Sequence, residues 1–215
     1  MELEKSQEKR IDGIDFKKEI KKEVEDCFIK RYQKLGKDIS GLTENFSIDI
    51  KTLKTLVSNN KSKPYCKFYY LQKDDSFTIG ISFSDNDECI IKKNEDKLYD
   101  LSGDIIKDEH FIKMKQNFEV GIGLKLSPHT NKIQDVLTYY TLQDIEAFIN
   151  VMGKSRPIYR LKFNMLHYRS TGIDNEVLAD FAERNNRISF CVHAVYNTEH
   201  LYEESAGYNL GNLRP

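Results

Sequence analysis

The amino-acid sequence predicts an α+β protein with a mixed, mostly antiparallel sheet of about six to eight strands. A long N-terminal amphipathic helix and three or four shorter helices would pack on this sheet. The class is indicated by apolar residues at helical spacing near the N-terminus, followed by short alternating segments separated by turns. The 215 residues, 39% of them hydrophobic, can bury roughly 70% of the unfolded surface. We expect residues 15–215 to form one domain.

The first part of that domain, residues 15–60, is predicted to be helical and to follow a flexible arm over residues 1–14. Asp15 is the expected N-cap of a helix that continues to Leu35. Its apolar stripe consists of Phe16, Ile20, Val24, Phe28, Tyr32 and Leu35. A shorter helix is expected after its own cap, Ser47. Its apolar face would consist of Ile50, Leu53, Leu56 and Val57.

Residues 64–126 are predicted to form mainly antiparallel strands, because apolar runs alternate there with acidic turns. The strand-like segments are YCKFYYLQ (65–72), SFTIGISF (76–83), ECIIKK (88–93), KLYDLSG (97–103) and FEVGIGLKL (118–126). DEHFIKMKQ (108–116) is interpreted as a short helix.

Residues 133–200 are predicted to alternate between strands and helices. DVLTYY (135–140) is strand-like, and Thr141 with Asp144 resembles a capping box that opens a helix. Next come PIYRLKFNMLHY (157–168), DNEVLADFAERN (174–185) and RISFCVHAVYN (187–197). This strand–helix–strand order favours a parallel pair of strands joined by a right-handed crossover.

Composition argues against membrane and secreted classes. The charged N-terminus contains no apolar signal region. The longest run free of Asp, Glu, Lys and Arg, residues 188–198, has 11 residues, which is too short to span a membrane. The sequence therefore predicts a cytoplasmic protein that does not contact a membrane.

No metal site and no cofactor are expected. The four cysteines, far apart in sequence, are Cys27, Cys66, Cys89 and Cys191. None belongs to a CxxC pair, so neither a structural zinc nor a disulfide framework is predicted. The acidic turn with Asp85, Asp87 and Glu88 could offer oxygen ligands to a cation, but a solvated hairpin turn is the preferred interpretation.

The net charge of −1 conceals strong segregation of charge along the chain. Residues 51–73 form a first basic stretch, with six lysines and no acid. Residues 74–109 form an acidic span, with eleven acids and four lysines. Residues 154–169 form a second basic stretch, with five basic residues and no acid. Both basic stretches interleave cations with aromatic residues, a combination that binds phosphates and stacks on bases. Strand alternation is the alternative explanation, with aromatics in the core and lysines in water.

Arginine usage favours the second basic stretch as a binding surface. Six of the eight arginines fall between residues 156 and 214, and the planar guanidinium suits phosphate. The residues predicted to bind a partner are Arg156, Arg160, Lys162, Asn164, Arg169, Arg184 and Arg187, with Lys63, Lys67 and Tyr69 from the first stretch. The acidic span 74–109 is an alternative working surface for a basic partner.

His167 and His193 are secondary, catalytic candidates. Alternation places His167 on an apolar strand face shared with Tyr159, and His193 on the opposite face with Cys191. The two histidines would therefore point to opposite sides of the sheet. Cys191 and His193 are separated by about 7 Å along a strand, which is too far for a catalytic thiol–imidazole pair.

The preferred hypothesis is a non-enzymatic binding protein that engages a nucleic acid, RNA in the first place, or a nucleoprotein. It would regulate or inhibit a nucleic-acid enzyme in an AT-rich bacterium or its phage. The first alternative is a phosphate-ester enzyme, a nuclease or phosphodiesterase, with Arg156, Arg160 or Arg169 on the phosphate. Its acid or base would be His167 or His193. The second alternative is a structural protein that forms a homo-oligomer through helix 15–35.

Overall fold

The computed structural model describes residues 19–168, 184–197, 202–208 and 211–214. The α-helices in these ranges are α1 (Lys22–Leu35), α2 (Ile50–Asn59), α3 (Asp108–Val120), α4 (Ile122–Leu126) and α5 (Leu142–Met152), with a 3₁₀ turn at Ser127–His129. The strands are β1 (Glu19–Ile20), β2 (Asn45–Asp49), β3 (Tyr65–Lys73), β4 (Ser76–Ser84), β5 (Lys97–Tyr99), β6 (Leu137–Thr141), β7 (Ile158–His167), β8 (Ile188–Asn197), β9 (Tyr202–Glu204), β10 (Gly207–Tyr208) and β11 (Asn212–Arg214). The predicted α+β class is confirmed.

The strands form two sheets rather than the single mixed sheet that the sequence predicted. Sheet A has the order β1-β10-β8-β7-β2, with β9 also paired to β8, and sheet B has the order β11-β6-β3-β4-β5. All strand pairs in the described ranges are antiparallel.

An aromatic centre joins the inner faces of the two sheets. The ring centroid of Phe68 on β3 lies 5.3 Å from that of Phe163 on β7 and 5.8 Å from that of Phe190 on β8. All three side chains are at most 2% exposed. Alternation along β3 directs Phe68 to this centre and the next residue, Tyr69, to the opposite face of sheet B.

Helices cover the outer faces of both sheets. Phe28 of α1 packs on Tyr168 at the end of β7, with 4.9 Å between ring centroids. On the far side, Phe111 of α3 meets Tyr69 of β3 edge to face at 5.6 Å. The layers therefore follow the order α1, sheet A, sheet B, α3. Apolar residues of α2 and α5 join the core between the sheets, and each of these two helices links a strand of one sheet to a strand of the other.

The caps of α2 and α5 explain where these helices begin. Asp49 caps α2, because its carboxylate accepts hydrogen bonds from the backbone N–H of Lys51 at 2.8 Å and Thr52 at 3.2 Å. The predicted cap Ser47 is wrong, since this residue lies within β2. The expected cap of α5 is confirmed, with the Asp144 N–H donating to the Thr141 hydroxyl at 3.1 Å.

Helix α1 is shorter than the helix predicted over residues 15–35. It begins at Lys22 because Glu19 and Ile20 form strand β1, paired with Tyr208 and Gly207 of β10. The apolar stripe of α1 faces sheet A as expected. No helix in the described part of the chain is long and apolar enough to cross a membrane. The predicted arm, residues 1–14, lies outside the described residues.

The predicted strand at residues 118–126 is wrong, because this segment belongs to helices α3 and α4. The apolar residues of this segment fit both the alternation of a strand and the four-residue spacing of a helix. The structure has the helical spacing. Phe118, Ile122 and Leu126 are buried, whereas Val120 is 74% and Leu124 59% exposed. The strand predicted at 88–93 is also wrong. Strand β5 takes the place beside β4 instead.

Strands β7 and β8 pair antiparallel and not in the parallel arrangement that the sequence predicted. The pairing continues past the strands, since the N–H of Tyr168 donates to the carbonyl of Arg187 at 3.0 Å. The end of β7 and the start of β8 are therefore neighbours, which excludes a crossover between opposite ends of the sheet. The helix predicted at 174–185 lies mostly outside the described residues.

A buried ion pair anchors the start of β8. The guanidinium of Arg187 donates two hydrogen bonds to Asp135, one of them from Nε to Oδ2 at 2.7 Å. The Asp135 side chain is 1% exposed, and burial raises its carboxyl pKa while Arg187 opposes this effect. Arg187 therefore has a packing role that ties β8 to the segment before β6.

Replacement of Phe68 by Ala should lower the free energy of unfolding by about 3–5 kcal/mol, because it opens a cavity between the sheets. Urea denaturation measures this loss. Leu124→Ala, at a side chain 59% exposed, is the control and should change stability by no more than about 0.5 kcal/mol. A loss below about 1 kcal/mol for Phe68→Ala would contradict the proposed centre.

Arg187→Met should cost about 3–5 kcal/mol, since it leaves the Asp135 carboxylate buried without its partner. The double variant Asp135→Asn/Arg187→Met should recover part of that loss in the same denaturation experiment. A double variant that is no more stable than Arg187→Met would show that the uncompensated charge is not the cause.

Candidate functional site

The most exposed group of predicted binding residues lies on sheet A where β9 pairs with β8. We call it the tyrosine face. It comprises Arg156, Tyr159, Arg160, Lys162, Tyr202, Glu203 and Glu204. Its residues come from β7, from the turn before β7, and from β9, so sheet pairing brings together two segments that are distant in sequence.

A β-bulge creates the tyrosine face. In the pairing of β7 with β8, Ile158 lies opposite Tyr196 and Arg160 lies opposite the next residue of β8, Val195. Tyr159, between them, therefore has no residue opposite it on β8. A bulge redirects the side chain of the extra residue, and Tyr159 is 40% exposed. Tyr159 therefore does not lie on the apolar face of β7, and the prediction from strand alternation is wrong at this residue.

Two tyrosine rings stack at the centre of this face. The ring centroids of Tyr159 and Tyr202 are 5.6 Å apart, with 26° between the ring planes. The guanidinium carbon of Arg160 lies 5.3 Å from the Tyr202 centroid and 5.9 Å from the Tyr159 centroid, which is cation–π distance. Arg160 makes no ion pair with any residue that the structure describes.

The other cations of the tyrosine face are paired with carboxylates of β9. Lys162 Nζ lies 2.8 Å from Glu204 Oε1, and Arg156 forms an ion pair with Glu203 while stacking on the Tyr196 ring at 4.4 Å. Such exposed pairs contribute only about 0–1 kcal/mol. They hold these two cations of the tyrosine face in position.

The residues predicted from the first basic stretch lie elsewhere, and two of them are buried. Tyr69 and Lys67 are 0% exposed. Lys67 Nζ donates to the Glu88 carbonyl at 2.7 Å, and burial lowers its pKa. Lys63 forms an ion pair with Asp85 at 2.6 Å. The acidic turn around Asp85, considered above as a cation site, is thus in contact with the basic side chains of Lys63 and Lys67.

Of the remaining arginines, Arg184 and Arg187 serve internal contacts. Arg184 is 5% exposed, donates to the Gly211 carbonyl and lies over the Tyr168 ring at 5.9 Å. Arg169 lies outside the described residues. Of the arginines predicted to bind a partner, Arg156 and Arg160 therefore lie, together with Lys162, on the tyrosine face.

Asn164 belongs to a second group, which consists of Glu25, Asn164, Cys191 and His193 and which we call the Glu25 cluster. Asn164 is half-buried, and the other three residues are buried. Glu25 comes from α1, and the others come from β7 and β8. His193 Nε2 lies 2.7 Å from Glu25 Oε1 and 3.5 Å from Cys191 Sγ. Asn164 Nδ2 lies 3.3 Å from the same carboxylate oxygen. The distance expected between Cys191 and His193 was therefore wrong, because their side chains converge.

Electrostatics in the Glu25 cluster favour an ionised carboxylate and a neutral thiol. Burial alone would raise the pKa of Glu25, but the hydrogen bond and charge of His193 lower it to about 2. Burial, reinforced by the carboxylate of Glu25, raises the pKa of the Cys191 thiol well above its usual value.

The cluster does not have the geometry of a nucleophile–base–acid triad. In a triad the acid and the nucleophile contact different nitrogens of the histidine. Here both Cys191 and Glu25 approach Nε2, while Nδ1 contacts the Ser205 carbonyl at 2.8 Å. The other histidine candidate, His167, is 2% exposed, and its Nε2 lies 3.1 Å from the carbonyl oxygen of His129.

Sequence reasoning missed Glu25 and Tyr202. Glu25 lies three residues before Phe28 and seven before Tyr32, so it shares their side of the helix. An acid there has to find a buried partner, and this position could have been noticed. Tyr202 carried no comparable signal, because its role depends on the pairing of β9 with β8.

No protein-family model, curated protein sequence or solved structure matches this chain. The two sites are therefore assigned a role from their own chemistry.

Proposed function

We propose that this protein is a non-enzymatic binding protein that engages single-stranded nucleic acid, RNA in the first place, through the tyrosine face. The observation that carries the proposal is the exposed Tyr159–Tyr202 stack beside the Arg160 guanidinium. Aromatic rings that present their faces beside a cation stack on bases and attract the phosphates between them.

Exposure supports this use of the two rings. Tyr202 is 57% exposed, and Tyr159 is 40% exposed. Two large aromatic side chains side by side with an arginine match the residue types that dominate binding energy at interfaces. A single strand can lay one base on this pair, whereas the paired bases of a duplex are stacked on each other and unavailable.

The charge of the face indicates a modest electrostatic contribution. Three cations, Arg156, Arg160 and Lys162, face two carboxylates, Glu203 and Glu204, which leaves a net charge of +1 on these five residues. At most three phosphates can be neutralised. The logarithm of the binding constant should therefore fall with the logarithm of salt concentration with a slope no steeper than about −2.

Binding is measured by fluorescence anisotropy with labelled single-stranded RNA, single-stranded DNA and duplex RNA of the same length. Wild-type protein should prefer the single strands. Tyr202→Ala should weaken single-strand binding roughly 5- to 150-fold, which corresponds to about 1–3 kcal/mol for the loss of one stacked base. Arg160→Ala should weaken it and make the salt slope shallower by about 0.7.

Arg214→Ala is the matched control, because Arg214 lies over the Tyr139 ring at 5.3 Å at the edge of sheet B, away from the tyrosine face. It should leave binding unchanged. The proposal fails if wild-type protein binds none of the three probes, or if Tyr202→Ala binds as tightly as wild type.

A further inference from the structure

The potential ligands of the Glu25 cluster converge on one point. Glu25 Oε1, Cys191 Sγ and His193 Nε2 lie within 4.8 Å of one another, and all three residues are at most 2% exposed. Tetrahedral zinc with bonds of about 2.3 Å to sulfur and about 2.1 Å to nitrogen or oxygen separates sulfur from the other ligands by about 3.6 Å. The observed distances from Sγ are 3.5 Å to Nε2 and 3.4 Å to Oε1.

The third distance is a hydrogen-bond length, 2.7 Å between Oε1 and Nε2. The same zinc geometry separates nitrogen and oxygen by about 3.4 Å. A shift of about 0.7 Å in the Glu25 carboxylate, away from His193, would therefore open the site. The two distances from Cys191 need little change.

The orientation of His193 is already that of a metal ligand. Its Nδ1 lies 2.8 Å from the Ser205 carbonyl, and a carbonyl only accepts, so Nδ1 carries a hydrogen and Nε2 faces the cluster. Zinc-binding histidines are commonly held this way, by a carbonyl on the nitrogen remote from the metal. The Ser205 hydroxyl accepts from the Ala194 N–H at 3.0 Å and holds that carbonyl against β8.

Two further groups beside the three ligands could also coordinate a metal ion: the second carboxylate oxygen of Glu25 and the side-chain amide of Asn164. Glu25 Oε2 is buried and has no hydrogen bond among the described residues, and the Lys22 ammonium is 4.0 Å away. Asn164 Nδ2 lies 3.2 Å from His193 Nε2, and rotation of this amide would present its oxygen instead. A Cβ at Gly207 would lie 2.8 Å from Glu25 Oε2, so the backbone of β10 closes the site tightly.

We infer that Glu25, Cys191 and His193 bind one zinc-class divalent cation that fastens helix α1 to sheet A, with the Asn164 amide oxygen as the fourth ligand. Binding of the cation releases the Cys191 thiol proton and the proton that His193 Nε2 shares with Glu25. The resulting thiolate and the Glu25 carboxylate balance the two charges of the cation, which allows burial without excess charge. Sulfur and nitrogen donors select zinc or cobalt over magnesium or calcium. Cysteine spacing in the sequence gives no sign of this metal site, because Glu25 and Cys191 are 166 residues apart.

The test is a titration of chelator-stripped, folded protein with Co²⁺. A thiolate-to-cobalt band in the near ultraviolet and tetrahedral bands in the visible should saturate at one Co²⁺ per chain and disappear on addition of Zn²⁺. Cys191→Ser should abolish the near-ultraviolet band and weaken Zn²⁺ binding at least about 100-fold. Cys66→Ser is the matched control. Cys66 is equally buried, but in the core between the sheets, and its loss should preserve the band.

Absence of the cobalt band in folded wild-type protein overturns the site, whatever the variants do. A band that persists in Cys191→Ser also overturns it. The attachment of helix α1 to sheet A by the metal ion is tested by thermal unfolding. Zn²⁺ should raise the midpoint temperature of unfolding of wild type and Cys66→Ser but not that of His193→Gln. An equal rise in all three proteins would overturn that role. Nucleic-acid binding is measured separately, so failure of either proposal leaves the other standing.

Discussion

The structure depends on the contact between the inner faces of the two sheets, where Phe68 meets Phe163 and Phe190. Because α1 and α3 cover the outer faces, the central strands are buried on both sides over most of their length. Nearly all residues of β8 are buried as a result. Any polar side chain in these strands therefore needs a partner inside the protein, since water is excluded.

This requirement explains where the charges of the chain are used. The segregation seen in the sequence indicated an external partner, but part of it is neutralised within the chain. Lys63 of the first basic stretch pairs with Asp85 of the acidic span, and Arg214 pairs with Asp87 of the same span. Lys67, in the middle of β3, is covered by the loop after β4. The tyrosine face differs because the bulge at Tyr159 turns an aromatic ring into solvent.

Local patterns of the sequence were sufficient for the class, for most long strands and for the cap of α5 at Thr141. They failed where one pattern fits two structures, as in the segment around Ile122, whose spacing suits a strand or a helix. They also failed where the outcome depends on distant residues, as for the antiparallel pairing of β7 with β8. The Glu25 cluster combines both difficulties. Its helix position was visible in the sequence, but its partners on β7 and β8 are defined only by tertiary packing.

The interleaving of the two sheets has a consequence for how the chain folds. Helices α2 and α5 carry the chain from sheet A to sheet B and back, and β11 returns to sheet B beside β6. Strand β1, at Glu19, pairs with β10 at Tyr208. Contacts between such distant residues slow folding because long loops must close first. During synthesis on the ribosome, neither sheet can acquire all its strands until residues 207–214 have emerged, so the edges of β6 and β8 stay open to mispairing until then.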